Sequence, residues 1–318
     1  MRYDGDIFKD LISKLVSEGY KVYAPVKVGE AHYFRVVSTA DEADFEYINT
    51  KNSPKEAVFP ENEILIRYSD WIDEVPLNEE NLAVVGIRPC DARAIRLLDR
   101  VFLEDVVDPY YKARRDRLLL VGYACDTAGD YCFCKSLGVN PRDSEDVDIF
   151  VAKDGDGYFV KAVSEKGAEI LKGFELKEGE IPELELEFSK SVDVENLPER
   201  MRKAFDSDYW KEVAENCVSC GTCTFLCPTC YCFDIHDEGE KRGVRLRAWD
   251  SCQFPLHTLE SSSHNPRSEK WQRLRNRFYD KYYAMLVRKG EIYCVGCGRC
   301  IEWCPVGIDI ADVISGVR

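Results

Sequence analysis

No stretch of this 318-residue chain stays apolar for the roughly 18–20 residues that a bilayer-crossing helix needs, so no such span is expected. A basic excess is missing too. Lys and Arg number 43 against 58 Asp and Glu, a net charge of −15 that argues against a general nucleic-acid binder. The amino terminus, MRYDGDIFKDLISKLVSEGY, lacks the basic head and apolar centre of a signal peptide and reads as an amphipathic helix. There is no G-x-G-x-x-G after a strand and no phosphate-cradling G-x-x-x-x-G-K-S/T, so neither flavin nor nicotinamide is expected on this chain. The 4 histidines show no paired metal spacing. These absences together predict a soluble cytoplasmic protein.

Cysteine is abundant, at 15 residues, and hydrophobic residues make up 45%, ordinary for a globular chain. A disulfide framework is the usual reading of many cysteines in a short secreted protein. Here the chain is long, the count is odd and no export signal is seen. Thiolates available to metal in a reducing compartment fit better.

The charge divides the chain. Residues 195–318 hold 18 basic and 18 acidic residues, so 1–194 carry the whole −15. This asymmetry predicts two units: a mixed α/β domain over 1–175, an acidic linker over 176–196, and a mainly helical ferredoxin-like domain over 197–318. In the first, Ile7, Phe8, Leu11, Ile12, Leu15 and Val16 recur at helical spacing. Short β-rich runs follow at 20–26, 33–38 and 64–68. LAVVGI (82–87) and LLLVGYA (118–124) are apolar throughout, as buried parallel strands are, and the helical stretch 91–102 between them makes a crossover unit. Asp154-Gly155-Asp156-Gly157 is a hairpin turn between two strands. A helix of about 20 residues is expected from Leu197 to Asn216, with Pro198 in its first turn.

Two segments of the second unit repeat. CVSCGTCTFLCP places Cys217, Cys220, Cys223 and Cys227; CVGCGRCIEWCP places Cys294, Cys297, Cys300 and Cys304, each offset by 77 residues. Both read C-x2-C-G-x-C-x3-C-P, the ligand run of bacterial two-cluster ferredoxins. Three thiolates on one tight loop wrap one face of a cubane, and Gly221 and Gly298 permit the loop's backbone angles. The fourth thiolate opens a helix that leads away, so it ligates the other cluster. One [4Fe–4S] cluster then takes Cys217, Cys220, Cys223 and Cys304, and the other Cys294, Cys297, Cys300 and Cys227. Structural zinc, which uses well-separated C-x2-C pairs, fits this density poorly. The long insertion 228–293 separates the two motifs.

Seven cysteines remain. Cys90 and Cys125 each follow a predicted buried strand, at the carboxyl ends where open α/β sheets bind ligands. Cys132 and Cys134 lie on a glycine-containing loop close behind. A third [4Fe–4S] cluster on these four is the preferred reading, with zinc or plain buried thiols as alternatives. Cys230, Cys232 and Cys252 could hold a cluster completed by a non-cysteine ligand, Asp250, His236 and His257 being near in sequence. The favoured reading is that they pack as small apolar residues. The basic stretches 241–247 and 267–281 read as solvated faces, or as an anchor for a partner or for acidic cluster surroundings.

The segments PCDARAIRLLDRVFLED, DPYYKARRDRLLLVGYACDTAGDYCFC, CVSCGTCTFLCPTCYCF, RAWDSCQF, RNRF and YCVGCGRCIEWCPVGIDI make the chain resemble the iron–sulfur β subunits of cytoplasmic sulfhydrogenases, which are NiFe hydrogenases, and the related A subunit of anaerobic sulfite reductase. YCFC and WDSCQF are the more specific of these. The resemblance implies an electron-transfer subunit between an NAD(P)H-handling flavoprotein and a catalytic subunit, a NiFe hydrogenase or a sirohaem sulfite reductase, with no catalytic residues of its own. Heterodisulfide-linked complexes are a neighbouring alternative. A terminal disulfide or polysulfide reductase using Cys230, Cys232 and Cys252 is a third, from a different class.

Overall fold

The computed structural model describes residues 1–181 and 183–318; Pro182, inside the expected linker, lies outside the described residues. In chain order the strands are β1 (Arg2–Tyr3), β2 (Lys21–Val28), β3 (Ala31–Val37), β4 (Asn62–Tyr68), β5 (Ile72–Glu74), β6 (Leu82–Ile87), β7 (Leu118–Tyr123), β8 (Ile149–Asp154), β9 (Gly157–Ala162), β10 (Phe233–Gly239) and β11 (Gly243–Trp249). The helices are α1 (Ile7–Ser17), α2 (Pro89–Phe102), α3 (Pro109–Asp116), α4 (Glu165–Ile170), α5 (Leu197–Lys203), α6 (Tyr209–Ala214), α7 (Thr222–Phe225), α8 (Lys270–Tyr279), α9 (Met285–Lys289), α10 (Arg299–Glu302) and α11 (Ile310–Gly316). Two compact units result. One is Met1–Val58, Asn78–Lys190 and Val295–Cys297; the other is Phe59–Leu77, Ser191–Cys294 and Gly298–Arg318.

The first unit is a seven-stranded mixed sheet in the order β1-β9-β8-β7-β6-β2-β3. Its centre is parallel, β2 on β6 on β7 on β8, and antiparallel hairpins close both sides. β6 and β7 are buried at every position, which is why they read as unbroken apolar runs. One set of alternate residues, Ala83, Val85, Leu119 and Val121, joins Ile7, Phe8, Leu11, Ile12 and Leu15 of α1 in a single core. Asp6 starts α1 by accepting from the Lys9 amide at 3.1 Å. α2 packs against β7 and buries Ala94, Ile95, Leu97 and Leu98. The β8–β9 turn is the expected one, with Gly155 at φ 61°.

The second unit combines short helices with a four-stranded antiparallel sheet, β10-β11-β4-β5. The mainly helical expectation left this sheet out. β10 is exposed along its whole length, so no period-two apolar pattern marks it. The long helix expected at 197–216 is two, α5 and α6. The chain turns between them at Ala204, whose carbonyl accepts from the Trp210 indole at 2.8 Å. Trp210 is fully buried and stacks on Phe278 of α8, 5.9 Å between ring centres. α8 runs through one π turn, Asp280–Ala284, into α9. Arg200 of α5 ties down the carboxyl-terminal helix by donating to the Ile314 and Val317 carbonyls. Among the described residues, no helix is long and apolar enough to cross a membrane.

Candidate metal centre

The first cysteine loop follows α6. Ser219 sits at φ 53° and Gly221 at φ 77°, so the chain coils tightly from Cys217 to Cys223. A Cβ on Gly221 would come within 2.9 Å of the Phe254 ring. Thr224 locks the turn, its amide and hydroxyl both donating to the Gly221 carbonyl at 2.8 and 2.7 Å. The second loop repeats the geometry, with Gly298 at φ 78° leading directly into α10. Backbone amides turn towards sulfur, as the motif requires: Ser219 N–H donates to Cys217 Sγ at 3.4 Å and Ile308 N–H to Cys304 Sγ at 3.2 Å.

Cys217, Cys220, Cys223 and Cys304 line one cavity, with Cys300 and Arg277 also on its wall. The fold thus brings the fourth cysteine of the second motif to the first three of the first. Cys227, Cys294 and Cys300 gather about Arg277 and Lys281: Lys281 is held charged by Cys227, Cys230 and Cys294, and Cys300 is shifted up by burial first, with Arg277 and Cys227 the next influences on it. Cys297 is buried and belongs to the segment grouped with the first unit.

Arg277 and Lys281 are the residues that sequence reasoning missed. Both are nearly inaccessible, at 3% and 2% exposure. Burial alone would lower each pKa, yet the neighbouring sulfurs of Cys223, Cys300, Cys230 and Cys227 raise Arg277 above its ordinary range, and those of Cys227, Cys230 and Cys294 raise Lys281 likewise. Neither pairs with a carboxylate among the described residues. Arg277 Nη2 donates to the Cys223 carbonyl at 3.0 Å, Lys281 Nζ donates to Thr229 Oγ1 at 2.8 Å, and Arg277 Nε has no partner. The expected solvated face over 267–281 is therefore corrected: Arg273, Arg277 and Lys281 are buried on the inner side of the α8 helix and its π turn. Over 241–247, Arg247 is buried in an ion pair with Glu63, while Arg245 pairs with Asp237 at the surface.

The remaining thiols respond to the same surroundings. Burial pushes Cys223 up to about 12. Cys227 is pulled below the usual thiol range, first by a hydrogen bond from Cys230. Positive charge beside buried thiols, with amides turned to sulfur in loops coiled by left-handed residues, suits anionic iron–sulfur clusters. No three His, Cys, Asp or Glu side chains among the described residues are placed to hold a single metal ion.

In the first unit, Cys90 lies in the first turn of α2, directly after β6, and Cys125 lies just after β7, the parallel neighbour. Cys125, Cys132 and Cys134 are brought together: burial first, then Cys125 and Cys132, push Cys134 up to about 12. The loop is fastened to Val295–Cys297. Phe133 N–H donates to the Gly296 carbonyl at 2.9 Å, and Asn49 Nδ2 to the Cys297 carbonyl at 2.7 Å. Arg88, a buried cation overlooked in the sequence, lies between the rings of Tyr47 and Tyr123 at 4.3 and 4.4 Å and donates to the Ala124 carbonyl at 2.6 Å.

These features define an iron–sulfur protein of the dicluster class, and a 4Fe-4S dicluster domain model matches residues 216–308. The chain is 33% identical to sulfhydrogenase 2 subunit beta of Pyrococcus furiosus over 348 aligned positions, covering 100% of this chain and 99% of that one. It belongs to the family of sulfhydrogenase β subunits and is an iron–sulfur electron-transfer subunit. No solved structure matches it.

Proposed function

We propose that this chain carries single electrons through two [4Fe–4S] clusters held crosswise, one by Cys217, Cys220, Cys223 and Cys304, the other by Cys294, Cys297, Cys300 and Cys227. A third sits on Cys90, Cys125, Cys132 and Cys134. It relays them between a flavoprotein that handles NAD(P)H and a catalytic subunit, a NiFe hydrogenase. The observation that carries the reading is the meeting of Cys304 with Cys217, Cys220 and Cys223 on one cavity wall, across the 77-residue repeat. When bound, each cluster supplies a site that gains and loses one electron. The protein's part is to coil the loops, aim amides at sulfur and supply the charges of Arg277 and Lys281.

Iron analysis of the anaerobically purified full chain tests this. The dicluster contributes about eight iron atoms per chain and the third site about four more. Cys220→Ala should remove about four and abolish one of two interacting EPR signals in the dithionite-reduced protein. Stoichiometric zinc with little iron, or an iron content that Cys220→Ala leaves unchanged, would overturn it.

A further inference from the structure

Cys230, Cys232 and Cys252 lie outside both motifs, and the fold brings them to one place. They line a cavity of about 420 Å³ together with His257. The register that sets Phe233 opposite Trp249 makes Cys232 and Cys252 flank the open end of the β10–β11 hairpin, where Asp250 N–H donates to the Cys232 carbonyl at 3.0 Å. We propose that Cys230, Cys232, Cys252 and His257 hold a further iron–sulfur cluster in this cavity.

Three observations converge on it. The first is donor chemistry. The Cys232 and Cys252 thiols hydrogen-bond each other. His257 Nδ1 lies against the Asp250 carboxylate, which fixes the tautomer and leaves the Nε2 lone pair for a ligand, the arrangement usual behind metal-binding imidazoles. The second is charge. Arg267, Arg275, Arg277, Lys281 and Arg288 stand on the walls against one carboxylate, Asp280. The Arg277 Nε is buried with no partner. Walls of this sign call for an anionic occupant. The third is size. Thiols serving only as apolar packing would not face an open 420 Å³ space. In assembly, three thiols release their protons and bind a preformed [4Fe–4S]2+ core as thiolates while the imidazole binds neutral. No electron changes hands, and the site becomes anionic.

The test compares the iron and sulfide of the anaerobic full chain with those of a Cys232→Ala/Cys252→Ala variant. The variant should hold about four fewer iron atoms and four fewer sulfides, with both dicluster EPR signals kept. Equal iron in the two proteins would overturn the proposal, as would a Cys232–Cys252 disulfide in the anaerobically isolated wild type. Because the double variant removes buried groups, His257→Cys is a second arm that keeps a ligand at the same place. It should retain the iron and change the g-values of one signal only; an unchanged spectrum would overturn the imidazole ligand. Failure of the dicluster reading is a different result, since the wild type itself would then be poor in iron.

Discussion

At the scale of single residues, the cysteine spacing points to the chemistry, and buried cations stand among the same thiols. Arg277 donates to the Cys223 carbonyl and has Cys223, Cys300, Cys230 and Cys227 as its charged neighbours. Adding an electron to a cluster adds negative charge, and a fixed positive charge nearby stabilises that state. Near a protein surface, two unit charges about 4 Å apart interact by about 4 kcal/mol at an effective dielectric constant of about 20; a one-electron couple moves by about 59 mV per tenfold change in equilibrium constant. Arg277→Gln should therefore lower the potential of at least one dicluster signal, by up to about three such steps, since about 4 kcal/mol is about three factors of ten. Arg277→Lys should recover most of it, as read in an EPR-monitored redox titration. Equal shifts in both variants would show that hydrogen-bond geometry, not charge, is what matters. The eight motif cysteines were legible because their spacing is a chemical constraint. Arg277 and Lys281 were not, because Arg and Lys at i and i+4 write the same pattern on a solvated helix face as on a buried one. Only the cysteine-lined walls they face separate the two.

At the scale of elements, legibility followed burial on both faces. β6 and β7 stand out because every position is covered. β10 was invisible because none is, and α5 and α6 were run together because the Ala204–Trp210 bond that breaks them is a tertiary contact. Close approach is equally silent in sequence. Gly296, at φ 63°, has the place of a Cβ only 2.5 Å from the Cys134 amide nitrogen and 2.6 Å from its Cα. Both are backbone atoms, so a methyl group there must push the two loops apart. Gly138 has a similar φ of 74° but open space around it. Gly296→Ala should cost about 2 kcal/mol, a melting point lower by roughly 4–8 °C, and should loosen iron bound near Cys132 and Cys134. Gly138→Ala should cost only the left-handed strain, about 1 kcal/mol, and leave iron untouched. Thermal melts of the two variants beside their iron contents separate contact from strain; equal losses in both would show that the loop contact carries no stability.

At the scale of the whole molecule, the two units rest on different physics. The first has a continuous apolar core under its sheet, built by α1 and the strands. The second buries Arg277 and Lys281 beside thiols, and a buried charge without a counter-charge costs several kcal/mol. Anionic clusters would supply that counter-charge, so their binding energy is folding energy for the second unit and much less so for the first. Removing iron with a chelator under anaerobic conditions should therefore unfold one unit and spare the other. Hydrogen exchange followed by mass spectrometry gives the readout. Amides of β6, β7 and β8 should stay protected in the iron-free protein, while those of α8 and α9 exchange on the timescale of an open chain. Protection lost in both units together would mean that the sheet also depends on its metal. Protection kept in both would mean that Arg277 and Lys281 are tolerated bare, and the electrostatic account of the second unit would fall.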